Sequence, residues 1–133
     1  MKYYIVDAFS SHAFGGNTAG VVLLEKSQPF PADKLMQQVA AELRYSETAF
    51  VQKLGSKEFR VRYFTPCCEV DLCGHATIAT FGLMYQLGLL AEGDHCSWTI
   101  SEKIRLRMSR VKVRMPRMRC LRSSHLHWAS RWW

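Results

Sequence analysis

The chain has 133 residues, of which 48% are hydrophobic and 22% charged, a composition typical of one globular domain. Five cysteines without paired spacing exclude a disulfide framework, and the N-terminal apolar run is too short for a signal peptide, so the sequence predicts a reducing cytoplasm. The formal net charge of +7 comes wholly from the last 35 residues, so the rest of the chain is not basic.

The first part of the chain alternates strand and helix patterns. The segments "YYIVDAF" and "TAGVVLLE" predict strands on either side of a loop, "SSHAFGGN". In "SQPFPADKLMQQVAAEL" the apolar residues recur at spacings of three and four, which predicts an amphipathic helix. "SETAFVQKL" and "EFRVRYFT" predict two further strands joined by a turn at Gly55-Ser56, and the second of them alternates with period two.

The stretch "EVDLCGHATIATFGLMYQLGLLAE" contains no charged residue from Leu72 to Ala91. Its length would suit a membrane span, but acidic residues flank it where lysine and arginine would be expected. The pattern therefore favours a buried helix over about residues 75–88. A helix threaded through a curled sheet is one setting for it, and an ordinary core helix is the alternative.

The start of this predicted helix carries three residues that a core helix does not need. A helix N-terminus leaves amide hydrogens without helical partners, and Gly74 permits close approach of a ligand. Together with the helix dipole this predicts a site for a carboxylate or phosphate. His75 and Cys73 would stand beside the anion, and each can move a proton. An accidental Gly-His start of a core helix remains the alternative.

Three segments, "FSSHAFGGNTAGVVLL", "SETAFV" and "RVRYFTPCCEVDLCGHATIAT", occur in an order and spacing that resemble a known family. They are similar to the N-terminal half of the PhzF-like isomerases of phenazine biosynthesis, whose fold is that of diaminopimelate epimerase. The resemblance covers about residues 1–92. Thr18 departs from it, because the family usually has proline after Gly-Asn.

This resemblance implies an α+β fold, a mixed β-barrel wrapped around a central α-helix, which is one of the usual two domains. The active site of the family lies in the cleft between those domains. The implied reaction is a proton shift on a small carboxylate-bearing metabolite without cofactor or metal.

The resemblance also implies roles for individual residues. Glu47 in "SETAF" matches the acid/base carboxylate, and His75 in "CGHAT" matches a histidine near the substrate, so both are predicted catalytic residues. Gly74, Asn17 and Cys73 are predicted substrate-binding residues. Related epimerases keep a catalytic cysteine at the position of Cys73, but a small buried apolar side chain is the alternative there.

The other cysteines of this region raise the question of a metal. Cys67 and Cys68 lie close in sequence to Cys73 and His75, but "CCEVDLCGH" lacks the paired ligand spacings of a structural zinc site. We therefore predict no metal.

Residues 1–98 are interpreted as the barrel domain and residues 99–133 as an atypical basic tail. The tail holds eight arginines and two lysines, and all four tryptophans lie at or after position 98. This composition favours a frameshift or truncation product. Arginine interleaved with tryptophan could instead bind nucleic acid or a membrane surface, but no recognised module is present, so neither partner is predicted. Partial alternation over residues 101–114 allows one further strand.

Three functions are consistent with these patterns. The first is an isomerase-type domain that is incomplete without a second domain. The second is a module that retains a small-anion site without turnover, and the third is a translated fragment without function. An exposed inter-domain face would favour association, for example as a homodimer.

Overall fold

The computed structural model describes residues 1–10, 14–25, 28–100, 104–108 and 120–122. Within these ranges the chain forms eight strands and two helices. The strands are β1 (Lys2–Ala8), β2 (Asn17–Leu23), β3 (Thr48–Lys53), β4 (Glu58–Phe64), β5 (Glu69–Val70), β6 (Cys96–Ile100), β7 (Ile104–Met108) and β8 (Cys120–Arg122). The helices are α1 (Asp33–Leu43) and α2 (Gly74–Gln86). The strands and helices predicted from the sequence of residues 1–92 are all present.

The strands form one mixed sheet in the order β7-β6-β4-β3-β2-β1-β8, with β5 paired to the end of β4. Two neighbouring pairs are parallel, namely β2 with β3 and β4 with β6. Parallel neighbours need a crossover connection, and each of these crossovers contains a helix. Among the described strands the sheet is an open path whose two edges are β7 and β8.

The two helices cover opposite faces of the sheet. Strand β4 runs antiparallel to β3, so two crossovers of the usual right hand place their helices on opposite sides. Alternating strand residues follow this division: Val22 and Phe50 pack with α1, whereas their neighbours Val21 and Ala49 pack in the cluster that contains α2. The buried residues of α1 are Met36, Val39 and Ala40.

Strand β4 confirms the predicted period of two. Phe59, Val61 and Tyr63 are buried on the α2 side, while Arg62 lies on the α1 side. There the Arg62 guanidinium bonds both oxygens of the Glu69 carboxylate, at 2.7 and 2.6 Å, and so ties β4 to β5.

Helix α2 lies at the centre of the larger cluster of buried side chains. Its fully buried residues include Ala76, Ala79, Leu83 and Met84. The ring of Phe81 packs edge-on against Trp98 of β6, with the ring centroids 4.7 Å apart. The helix also packs against β1, four strands away from β6. Flat strands at about 4.8 Å spacing would extend over about 19 Å, far beyond a helix about 10 Å wide. The sheet must therefore curl around α2, which confirms the predicted α+β fold of a mixed sheet wrapped around a central helix.

The ends of α2 fall close to the predicted ones. The helix ends at Gln86, and Gly88 adopts a φ of +69° just beyond it. The amide of Gly88 donates to the carbonyl of Tyr85, and that of Leu89 donates to Met84, which is the pattern of a Schellman cap. In the part of the chain that the structure describes, neither helix is long and apolar enough to cross a membrane.

The predicted domain boundary after residue 98 falls inside β6. Trp98 is buried in the core, so its place in the tryptophan-rich part of the sequence does not separate it from the domain. Strand β7 lies in the region for which one further strand is predicted. The remainder of the predicted basic tail, residues 101–103, 109–119 and 123–133, lies outside the described residues.

Candidate functional site

Three elements meet where β3 and α2 begin. Glu47 immediately precedes β3, and its carbonyl accepts a hydrogen bond from the amide of Gly20 in β2 at 3.0 Å. The first turn of α2 carries Gly74 and His75 to the same place. Glu47 and His75, which are 28 residues apart in sequence, are therefore neighbours because of the strand register and the path of α2.

The carboxylate of Glu47 faces the imidazole of His75. Oε2 of Glu47 lies 3.1 Å from Nε2 of His75, and the two side chains are only 21% and 12% exposed. Yet Oε2 is buried and accepts no hydrogen bond from any described residue. A carboxylate oxygen in this state retains its capacity to accept a proton or to bind a ligand.

His75 also contacts two other side chains. The hydroxyl of Ser46 lies 3.2 Å from Nε2, the nitrogen that faces Glu47. At the other ring nitrogen, Sγ of Cys73 lies 3.2 Å from Nδ1. Burial raises the pKa of the Cys73 thiol, and the nearby Glu47 carboxylate adds to the rise, although the amides of the first helical turn oppose it. The thiol is consequently protonated at neutral pH.

The N-terminus of α2 opens onto unoccupied space. Its first turn carries no capping hydrogen bond from the side chain of Cys73 and no acidic residue. Gly74 is exposed, and a Cβ at this position would meet no atom within 4 Å. The amides of the first turn and the space beside Gly74 suit a small anion.

Two hydrogen bonds that involve the Thr77 hydroxyl link the first turn of α2 to strand β4. The hydroxyl of Thr77 donates to the carbonyl of Cys73 at 2.6 Å and lies 2.7 Å from the hydroxyl of Tyr63 in β4. Burial raises the pKa of Tyr63 to about 12, so the phenol stays neutral over the physiological range. Sequence patterns gave no signal for these hydrogen bonds, because the residues that form them lie on different elements.

Asn17 is not bonded to the cluster in the part of the chain that the structure describes. It is exposed at the start of β2 and makes no hydrogen bond or ion pair to Glu47, Cys73 or His75 among the described residues. Its role in substrate binding stays a prediction.

A buried carboxylate organises the loop that precedes Asn17. The Asp7 carboxylate accepts hydrogen bonds from the amide of Phe14 at 2.8 Å and the hydroxyl of Thr18 at 2.6 Å. The departure from the family pattern at Thr18 thus supplies a bond that proline could not make. Gly16 is needed for the same close packing, since a Cβ there would lie 2.3 Å from the carbonyl oxygen of Ala8.

The side chains of Glu47, Cys73 and His75 could also hold a metal ion, because their ligand atoms lie within 4.8 Å of one another. However, the Cys73 sulfur faces Nδ1 and the Glu47 oxygen faces Nε2. The imidazole is thus within contact distance of a thiol at one nitrogen and of a carboxylate at the other.

The structure thus brings together four of the five predicted site residues, Glu47, Cys73, Gly74 and His75. Ser46 was missed, although it adjoins Glu47 in the "SETAF" segment and could have been found there. Asp7, Tyr63 and Thr77 were missed for lack of any local pattern.

Comparison with known proteins gives consistent matches. The profile of the PhzC-PhzF family, described as phenazine biosynthesis-like protein, matches residues 6–119. The uncharacterized isomerase YddE of Salmonella typhimurium is 53% identical over 78 residues, which are 59% of this chain and 25% of YddE. A PhzF-family phenazine biosynthesis protein from Enterococcus faecalis has a TM-score of 0.68 at 42% identity, over 82% of this chain and 40% of that one.

The fold also matches that of a predicted epimerase. The structure of the predicted epimerase PA4716 from Pseudomonas aeruginosa has a TM-score of 0.66 at 26% identity, over 80% of this chain and 37% of that one. The chain spans about a quarter to a third of the length of the curated relatives that it matches.

Proposed function

Because this chain belongs to the PhzC-PhzF family of phenazine biosynthesis-like proteins, we propose that it carries the acid/base site of an isomerase that shifts a proton on a small carboxylate-bearing metabolite. One observation carries the proposal. The buried Oε2 atom of Glu47 lies 3.1 Å from Nε2 of His75 and has no hydrogen-bond partner among the described residues.

Glu47 is proposed as the base that takes a proton from a carbon next to an activating group. A positioned carboxylate can return the same proton elsewhere on the substrate, which is what an isomerisation requires. His75 would hold the carboxylate in place and stabilise the charge that changes during transfer. Its ring is itself held between Cys73 and Ser46, so its orientation does not depend on the substrate.

Cys73 is proposed to fix the tautomer of His75. Its protonated thiol would donate to Nδ1, and the hydrogen of the neutral ring would then lie on Nε2, toward Glu47 and Ser46. The substrate carboxylate would bind at the start of α2, beside Gly74, where no side chain caps the helix and a Cβ would meet no atom within 4 Å. Asn17 is proposed as a further contact on the substrate.

A second candidate function is binding of a small anion without turnover. The open first turn of α2 would suffice for it, because a helix N-terminus binds anions without help from a base. The two candidates differ in what they require of Glu47, which is indispensable only for proton transfer.

We propose that the site acts in a biosynthetic step in the cytoplasm and that the end of the domain around it associates with a second copy. The exposed apolar residues Phe9, Phe14 and Leu72 lie on the β1–β2 loop and just before α2, at 69%, 87% and 56% exposure. Sedimentation should show concentration-dependent association that Phe14→Ser weakens. Association unchanged by that substitution would argue against this surface.

The test is incorporation of solvent deuterium into a panel of small amino and unsaturated carboxylates, followed by NMR in deuterated water. Exchange requires only the base and the anion site, so it is more direct than net isomerisation. Glu47→Gln should reduce the exchange rate by about 10²–10⁴-fold. Glu42→Gln is the matched control, because Glu42 is exposed on α1 on the other face of the sheet.

Exchange that persists in Glu47→Gln would contradict the role of Glu47. Binding of the carboxylates by the unsubstituted chain without any exchange would favour the anion-binding function instead.

A further inference from the structure

The hairpin between β4 and β5 ends in two adjacent cysteines that the proposed function does not use. Cys67 and Cys68 are both exposed free thiols, whereas Cys73 and Cys96 are buried. The two exposed thiols lie at the tip of a short loop, so they are accessible together.

Hydrogen bonds to Thr65 hold the loop in one conformation. The amides of Cys67 and Cys68 both donate to the Thr65 hydroxyl oxygen, at 3.2 and 3.0 Å. The amide of Thr65 donates to the carbonyl of Cys68 at 2.8 Å, which closes the hairpin around Pro66 and Cys67. The bidentate pair of Arg62 with Glu69 holds the strands just below.

This geometry disfavours a disulfide between the two thiols. No peptide bond of the described residues is cis, and consecutive Cα atoms across a trans peptide are about 3.8 Å apart. Disulfides usually join Cα atoms about 4.4–6.8 Å apart, with sulfurs about 2 Å from each other. A single atom bound by both sulfurs does not require them to approach so closely. Two bonds of about 2.3 Å at a tetrahedral angle leave the sulfurs about 3.8 Å apart.

The number of ligands decides what kind of centre fits. Zinc takes four ligands in a structural site, and within the described ranges the group of metal-binding side chains found is Glu47, Cys73 and His75, without the exposed pair. A trivalent arsenical with one carbon substituent needs two thiols and no further protein ligand.

We propose that Cys67 and Cys68 form a bidentate dithiol site for a soft trivalent centre, with a monosubstituted arsenical as its ligand class. Two S–H bonds and the arsenic–oxygen bond of an aryl arsine oxide break, two arsenic–sulfur bonds form, and one water leaves. No electron is transferred, so no oxidant or reductant is required.

The test uses the full chain and phenylarsine oxide, with intact-mass spectrometry to count the bound phenylarsenic groups. One group should bind and survive a large excess of glutathione, a monothiol, but be removed by 2,3-dimercaptopropanol, a dithiol. Cys67→Ser and Cys68→Ser should each weaken binding by about 10²–10⁴-fold, the usual gain from a second linked contact.

Cys96→Ala is the matched control and should bind as tightly as the unsubstituted chain, because Cys96 is buried in β6. Circular dichroism melting would establish that the exposed serine variants fold, so that a loss of binding reports the dithiol. Removal of the group by glutathione, or binding retained in either serine variant, would overturn the proposal.

Discussion

The two ends of α2 belong to one continuous helix but differ in nearly every local property. At the C-terminal end Gly88 closes a Schellman cap, and the preceding Leu83 and Met84 are completely buried. At the N-terminal end Gly74 is exposed and no side chain caps the first turn. The end whose backbone groups are satisfied contributes stability, whereas the end without a side-chain cap, which has a carboxylate nearby, is suited to bind an anion and to transfer protons.

The largest expected effect tests this division directly. Leu83→Ala should lower the free energy of unfolding by about 2–5 kcal/mol, because it leaves a cavity in a fully buried position. His75→Ala should cost less, about 1–2 kcal/mol, since the ring lies at the edge of the core and its contacts are polar. Urea unfolding of both variants measures the difference, and equal losses would refute the division.

The next effect is a loss of stability at high pH that comes from Tyr63, which supports the first turn of α2 through Thr77. The folded pKa of Tyr63 is about 12 against 10 in the unfolded chain, so the unfolded state loses its proton first as pH rises. Stability from this group is complete below pH 10 and should fall by about 1.4 kcal/mol per pH unit between 10 and 12.

Tyr63→Phe should remove that part of the alkaline loss, at a cost of about 1 kcal/mol at neutral pH for the lost bond to Thr77. Tyr85→Phe is the control, because Tyr85 is exposed near the other end of the helix. Urea unfolding at a series of pH values checks both. An unchanged alkaline slope in Tyr63→Phe would show that other groups cause it.

A smaller effect is expected from Gly88→Ala. A Cβ there would meet no atom within 4 Å, so the cost comes only from the φ of +69°. We expect a loss of about 1–2 kcal/mol in stability and no change in anion binding. Thermal melts measure the loss of stability, and phosphate titration measures anion binding. Unchanged stability or weaker phosphate binding would contradict this prediction.

The smallest effect on stability, near zero, is expected from Gly74→Ala at the other end. This glycine also has no atom within 4 Å of its Cβ position, but its φ is not in the left-handed region. The added methyl would enter the proposed anion site, so acetate and phosphate should bind more weakly. Amide shifts of the first turn in ¹H–¹⁵N NMR spectra report this, and undiminished shifts would argue against an anion at that position.

Patterns within single elements were sufficient to predict most of the fold. The alternation in β4 and the uncharged run of α2 depend on side chains of one element, whose spacing in the sequence is their spacing in space. The helix start already indicated His75, and the family resemblance added Glu47, which no periodicity could have connected with it.

Contacts between elements required the tertiary structure. Asp7 with Thr18, and Tyr63 with Thr77, are paired by strand register and by the rotation of α2 against the sheet, neither of which is written in the local pattern. Trp98 illustrates the same limit, because composition makes it the last residue before the basic tail, whereas the parallel pairing of β6 with β4 places it within a strand and packs it against Phe81. The sequence determined which residues favour strand, helix or interior, and the packing of the helix inside the curled sheet decided which of them meet.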